Sequence, residues 1–132
     1  LAQVAEFANI STQAYRMIRR LAPGAFTFIL PAKRIVPKIL TSKQKTVGIR
    51  IPNNPFALEI IKDLGSPIIS TTLTTGDEIP HSSPQEIEKE FGHQIEMIFD
   101  DGETFSDLST IVDLAGDEIV VLRDGKGDIN EI

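Results

Sequence analysis

Hydrophobic positions along the chain fall at two different spacings, and the switches between them mark out the elements. The opening reads as helical: Ser11 stands where an N-cap belongs, and Ala14, Met17, Ile18 and Leu21 recur at helical intervals. Pro23-Gly24 stops that helix, because proline cannot continue the hydrogen-bond ladder and glycine accepts a left-handed turn. Phe26, Phe28 and Leu30 then alternate, predicting a short strand with those three on one face. A lysine-rich loop runs from Lys33 to Lys45, and Thr46 to Ile51 forms a second predicted strand that Pro52 ends. Asn54 as N-cap and Pro55 at the first helical position open a helix whose face is Ala57, Leu58, Ile61 and Leu64, with Gly65 as its stop.

In the second half, Pro67 to Leu73 reads as an apolar strand entering a polar loop, Thr74 to Ser82. Ser83-Pro84-Gln85-Glu86 has the form of a capping box for a helix ending at Gly92. Ile95, Met97 and Phe99 alternate as a strand closed by the turn Asp100-Asp101-Gly102. Ser109–Leu114 and Glu118–Arg123 read as a hairpin around Ala115-Gly116-Asp117. Hairpins mixed with strand–helix units predict an α/β or α+β fold, a sheet with helices packed on it.

The 132 residues are enough for one domain with a real core, and the 41% hydrophobic and 24% charged fractions are ordinary for a globular protein. No apolar run reaches the ~20 residues that span a bilayer, and no leader pattern precedes a cleavage site. There are no cysteines, which excludes disulfides and thiolate chemistry. A cytoplasmic protein without a membrane partner is the expectation. The formal charge of −6 hides an asymmetry. Residues 1–62 hold ten Lys/Arg against two Glu, +8, while residues 63–132 hold three against seventeen acidic groups, −14. That opposition suggests an anion-facing side and a solvating side, although two wet surfaces would give the same counts.

Generic catalytic motifs are missing: no Walker loop, no GxGxxG, no nucleophile elbow. His81 and His93 lack metal-ligand spacing, and Asp100-Asp101 reads as turn chemistry, so neither a metal site nor a covalent catalytic residue is predicted. Three segments stand out instead. They are Pro23–Pro31, which opens Pro23-Gly24-Ala25-Phe26-Thr27, the strand Thr46–Pro52 with Arg50 near its end, and Pro67–Thr72 running into hydroxyls. Ligands of open sheets gather at strand ends, and hydroxyls beside an arginine fork suit carboxylate and phosphate oxygens. Thr27, Thr46 and Thr110 also read as threonines placed for β-propensity alone. Arg50 and Arg123 resist a bland reading, since each ends an apolar strand.

With Ser109-Thr110-Ile111-Val112-Asp113 and Arg123 before Gly125, these segments together resemble the YrdC family, over nearly the whole chain. The resemblance implies a YrdC-like fold, a twisted mixed sheet with helices, across residues 1–132. It also implies threonylcarbamoyl-adenylate synthesis: threonine, bicarbonate and ATP, with Mg2+ accompanying the ATP, give threonylcarbamoyl-AMP for transfer-RNA modification. Carried over position by position, Arg50, Ser70 and Ser109 would contact threonine. Thr46, Thr72 and Arg123 would lie on the nucleotide side. Pro23, Gly24, Thr27 and Thr110 would shape the pocket. The family also carries an N-terminal Thr-rich strand and a Lys-x-Arg-Pro segment that neutralise the triphosphate. Nothing in residues 1–132 matches either, so the chain reads as the domain without its N-terminal part. Thr72-Leu73-Thr74 stands in place of Ser-Ala-Asn, and the pattern Ser70-Thr71-Thr72-Leu73 resembles the YciO branch. Two other readings stand beside the synthase. One is a module for double-stranded RNA or transfer RNA through Arg16, Arg19, Arg20, Lys33, Arg34 and Lys38, and the other is a structural fragment.

Overall fold

The structure, a computed structural model, describes residues 2–74, 83–102 and 108–132. The first helical span divides in two, α1 (Ala2–Phe7) and α2 (Thr12–Leu21). Ser11 caps α2 as its position predicts: its Oγ accepts the Ala14 amide at 3.1 Å. The four periodic residues Ala14, Met17, Ile18 and Leu21 are all buried. The sheet follows, built from β1 (Phe26–Pro31), β2 (Thr46–Arg50), β3 (Thr110–Asp113) and β4 (Val120–Arg123). Its order is β2-β1-β3-β4, with β1 antiparallel to β2, parallel to β3, and β3 antiparallel to β4. The mixed sheet expected from the sequence is present.

Parity along each strand divides the sheet into two faces. Phe26, Phe28 and Leu30 of β1, with Val112 of β3, are buried beside Val4, Ala8 and the α2 residues in a single core cluster, and Thr110 of β3 is buried as well. Phe28, Ile18, Leu30 and Val112 are essentially sealed from solvent, each contributing roughly 1.5–3 kcal/mol through burial. Val47 and Ile49, opposite Leu30 and Phe28, pack against the same cluster. A bridge between Ala8 and Ala32, with the Asn9 amide donating to the Pro31 carbonyl at 2.8 Å, ties the end of α1 to the end of β1.

Contacts within the chain resolve into two units. The first is residues 1–68 with 108–132, and the second is residues 69–107. The first unit holds the sheet and α3 (Pro55–Leu64), which begins and ends as predicted. Asn54 Oδ1 accepts the Ala57 amide at 2.8 Å, and Gly65 stops the helix at a φ of 70°. Its apolar face is less buried than its spacing predicts. Ala57, Leu58 and Ile61 are half-buried, and Leu64 is exposed. Helical spacing creates an apolar stripe, but burial also needs something to lie against it.

The second unit contains α4 (Pro84–Phe91). Helix and boundary match the expectation, but the capping box does not form as drawn. The Ser83 hydroxyl donates to Gln85 Oε1 at 2.8 Å and makes no cap to a helix amide. Two predicted strands are corrected as well. Pro67–Leu73 and Ile95–Phe99 join no ladder, and Ile69, Met97 and Phe99 are exposed. An apolar run or an alternation makes a segment fit to be a strand; only a neighbour's hydrogen bonds make it one. The Asp100-Asp101-Gly102 turn is present, with the Gly102 amide donating to Asp100 Oδ1 at 2.9 Å and φ of 82° at Gly102. The predicted polar loop Thr74–Ser82, including His81, lies outside the described residues after Thr74. No helix among the described residues is long and apolar enough to cross a membrane.

Candidate functional site

The sheet face turned away from the core gathers Thr27, Arg50, Ser109 and Arg123 of the polar residues singled out in the sequence. Thr27 pairs with Arg50 across β1 and β2, and with Ile111 across β1 and β3. Ile111 in turn pairs with Arg123 of β4. Residues paired across a ladder share a face, so Arg50, Thr27, Ile111 and Arg123 form one row across four strands. Three strand spacings separate the two arginines, about 14 Å between their backbones.

Arg123 reaches this face through an irregularity. Asp113 pairs with Val120 and Val112 with Val121, but Ile111 pairs with Arg123 rather than Leu122. Leu122 is therefore an extra residue, a bulge that shifts the parity of the strand by one. In regular register Arg123 would oppose Thr110 on the core face. The bulge turns it outward.

Arg123, Ser109 and Thr27 are connected. Arg123 donates from Nε and Nη2 to the Ser109 carbonyl at 3.0 and 2.8 Å, and from Nη2 to Ser109 Oγ at 3.3 Å. Ser109 Oγ and Thr27 Oγ1 are 2.8 Å apart and share a hydrogen bond. Ser109 is buried, whereas Thr27 and Arg123 are half-buried. Arg50 is exposed, and its guanidinium has no partner among the described residues. The row thus has one open cation at one end, and at the other a hydroxyl pair held by a second cation.

Local structure explains how these residues are held. The Gly24 amide donates to the Ile51 carbonyl at 2.9 Å, linking the turn before β1 to the residue after Arg50. A side chain at Gly24 would begin 2.4 Å from the Leu21 carbonyl oxygen, so the turn needs glycine. Thr110, on the core face, is a structural tie. Its Oγ1 donates to the Gly127 carbonyl at 2.6 Å and accepts the Gly125 amide at 3.0 Å. These bonds fasten the segment after Arg123 across the start of β3.

The remaining predicted residues lie elsewhere. Thr46 shares the outward face, but it stands four residues from Arg50, about 13 Å along β2. There its hydroxyl pairs with Ser42 Oγ at 2.7 Å. Ser70 and Thr72 are exposed in the second unit, on a segment without regular secondary structure. In that unit α4 and residues 95–100 enclose an open hollow of about 360 Å³ containing Glu88, Met97 and Asp100, with none of the predicted site residues in its lining. Arg16, Arg19, Arg20, Lys33, Arg34 and Lys38 are all exposed. Arg19 lies over the Tyr15 ring, 6.0 Å from its centre, and Arg20 donates to the Ile132 carbonyl. Sequence reasoning missed the Leu122 bulge and the Thr27–Ser109 pairing. The spacing Arg123-x-Gly125-x-Gly127 was the available signal, two glycines following an arginine at a strand end.

Comparison with known proteins adds to this geometry. Residues 1–125 match the family profile Sua5_yciO_yrdC, described as telomere recombination. The chain is 35% identical to YciO of Escherichia coli K12, a protein described as uncharacterized, over 98% of this chain and 64% of that one. The crystal structure of E. coli YciO superposes with a TM-score of 0.92 at 34% identity, with the same coverage. A threonylcarbamoyl-AMP synthase of Pyrococcus abyssi is 32% identical over 94% of this chain and 37% of its own length. The structure of P. abyssi Sua5 complexed with L-threonine superposes with a TM-score of 0.86 at 31% identity, covering 95% of this chain and 37% of that one. The chain spans 63–64% of the length of the first curated relatives it matches.

Proposed function

The chain belongs to the Sua5/YciO/YrdC family, and from that premise we propose that its outward sheet face is the amino-acid side of a threonylcarbamoyl-AMP synthase-like site. The observation that carries this reading is the row from Arg50 to Arg123, with its open guanidinium and its Thr27–Ser109 hydroxyl pair. Arg50 binds the carboxylate of L-threonine through a two-pronged contact, for which a planar fork with free N–H groups is suited. The hydroxyl pair faces the polar side chain of the amino acid.

The reaction asks little of an enzyme beyond position and charge. The threonine amine adds to the carbon of bicarbonate and water leaves, giving a carbamate. A carbamate oxygen then attacks the α-phosphorus of ATP, and pyrophosphate departs with the electron pair of the broken P–O bond. No covalent enzyme intermediate is required, which accords with a site made of an arginine and two hydroxyls. Magnesium would accompany the triphosphate. No group of three or more His, Asp or Glu side chains among the described residues is arranged to hold a metal ion, and no step is assigned to one. Thr46, on the same sheet face, is a proposed contact of the wider site.

The test is calorimetric titration of L-threonine into the full-length protein, with pyrophosphate release measured when ATP and bicarbonate are added. Arg50→Met should weaken threonine binding at least tenfold while leaving stability within about 0.5 kcal/mol, because its exposed guanidinium has no partner among the described residues. Wild-type protein that binds no threonine and releases no threonine-dependent pyrophosphate refutes the reading.

A second reading is favoured by the exposure of all six basic residues named for RNA. In it the same domain grips a duplex or folded RNA by its phosphates, through Arg16, Arg19, Arg20, Lys33, Arg34 and Lys38.

A further inference from the structure

We propose that the loop between β1 and β2, residues 33–45, docks on an anionic lipid bilayer with Ile39 and Ile35 as its apolar tips, independently of the threonine site. The loop carries five cations, Lys33, Arg34, Lys38, Lys43 and Lys45, and no acidic residue. The chain has no Asp or Glu anywhere between Glu6 and Glu59. All five cations are exposed, and none makes a salt bridge among the described residues. The apolar residues of the loop are sorted by burial. Val36 is buried, Leu40 is half-buried, and Ile35 and Ile39 are 65% and 91% exposed. Ile39 is the most exposed large apolar side chain among the described residues, and it stands on a single turn of 3₁₀ helix, Lys38–Leu40. A lone exposed isoleucine is ordinary; two inside a ring of cations on one loop mark a contact surface.

The backbone of the loop is tied at both ends, so its tips are presented. The Ala32 amide donates to the Lys45 carbonyl at 2.9 Å, and the Lys33 amide to the Phe7 carbonyl at 2.8 Å. Ser42 Oγ accepts the Gln44 and Thr46 amides at 3.1 and 3.2 Å. Between these ties the Leu40 amide donates to the Pro37 carbonyl at 2.9 Å, closing the turn that lifts Ile39. Lys45 has a φ of 60°, in the left-handed region where glycine is at home. Conformation alone favours glycine there, and the chain keeps a charge. A bilayer meets both halves of this surface: its acyl region takes the isoleucines, and its headgroups take ammonium groups whose stems lie along the interface. Nucleic acid meets only one half, since its bases are gripped by aromatic planes and the loop has none. The net charge of −6 does not oppose the contact, because screening within about 8 Å at physiological salt leaves the charges at the contacting surface to decide. Such a loop lies on a membrane and needs no spanning helix.

Co-sedimentation of the full-length protein with vesicles tests this, using phosphatidylcholine alone and phosphatidylcholine mixed with phosphatidylglycerol. Wild type should pellet with the mixed vesicles only, and less as salt rises from about 0.1 to about 0.5 M. Ile39→Ser, at a position already in water, should bind at least tenfold more weakly. Lys45→Gly removes one charge and relieves the left-handed backbone. It should bind about fivefold more weakly while melting at or above the wild-type temperature, which separates a lost lipid contact from a folding defect. Wild type that pellets with neither vesicle, or equally with both, overturns the proposal. So does Ile39→Ser that binds as tightly as wild type, since the loop then adsorbs by charge without inserting. The same variants are titrated with duplex RNA. RNA affinity that survives Ile39→Ser while vesicle binding is lost supports the lipid contact. RNA affinity that falls in both variants, with no vesicle binding in wild type, overturns it and gives the loop to the RNA reading.

Discussion

Thr110→Val separates hydrogen bonding from burial at the centre of the fold. Thr110 is fully buried on a strand, where valine has the same shape and higher hydrophobicity. Burial alone predicts that valine stabilises. The hydrogen bonds predict the reverse. Removing the hydroxyl leaves the Gly127 carbonyl without its 2.6 Å donor and the Gly125 amide without its 3.0 Å acceptor. Gly127 is buried, so its carbonyl loses about 2 kcal/mol; the Gly125 amide, nearer solvent, loses about 1. The added methyl returns up to about 0.8 kcal/mol. The net is about 2 kcal/mol of destabilisation, against about 1 for Thr110→Ser, which keeps both bonds and gives up one methyl. Urea denaturation of the full-length protein measures both. A valine variant as stable as wild type, or more stable than the serine variant, would refute the assignment of Thr110 as a tie.

Other outcomes follow from particular contacts. Gly127→Ala would put a Cβ 2.7 Å from the buried Phe26 ring, and should destabilise by about 1–3 kcal/mol, read as a lower melting temperature. Asn54→Ala removes the cap on the Ala57 amide and should cost about 1 kcal/mol, with faster hydrogen exchange confined to the first turn of α3. If the basic residues of α2 hold RNA phosphates, reversing Arg16 and Arg19 to Glu should weaken duplex-RNA binding and flatten its dependence on salt. Filter binding at several salt concentrations checks this, and binding that is absent or insensitive to salt removes the RNA reading.

The elements legible in the sequence were those specified locally. Ser11 and Asn54 cap their helices because a side-chain oxygen three residues before an amide needs no distant partner. Alternation in Phe26–Leu30 found the core face of β1 because period two is a property of the strand itself. What failed was whatever depends on a second segment. Pro67–Leu73 has the apolar run and Ile95–Phe99 the alternation of a strand, yet neither joins a ladder, and Leu64 has the spacing of a core residue and lies exposed. The same division holds at the site. Motif resemblance brought Arg50, Thr27, Ser109 and Arg123 together as a set. Nothing in their spacing said that Arg123 would turn toward Ser109.

Register is the physical quantity that converts those scattered residues into a site. In a sheet, a slip of one residue exchanges the two faces, so each strand contributes one binary choice. For β1, β2 and β3 the choice is fixed by burial. Phe28, Val112 and the half-buried Ile49 must face α1 and α2, and Thr27, Arg50 and Ile111 are thereby outward. β4 has no such anchor, since Val120, Val121 and Leu122 are all exposed. Its parity is set instead by the bulge, and downstream by glycines that let the chain lie against Leu108 and Ser109. A Cβ at Gly125 would stand 2.3 Å from the Leu108 carbonyl oxygen, closer than any side chain permits. The strand that carries Arg123 is thus positioned by backbone contacts rather than by a core. Among the described residues its arginine is held by hydrogen bonds to Ser109, while Arg50 has none.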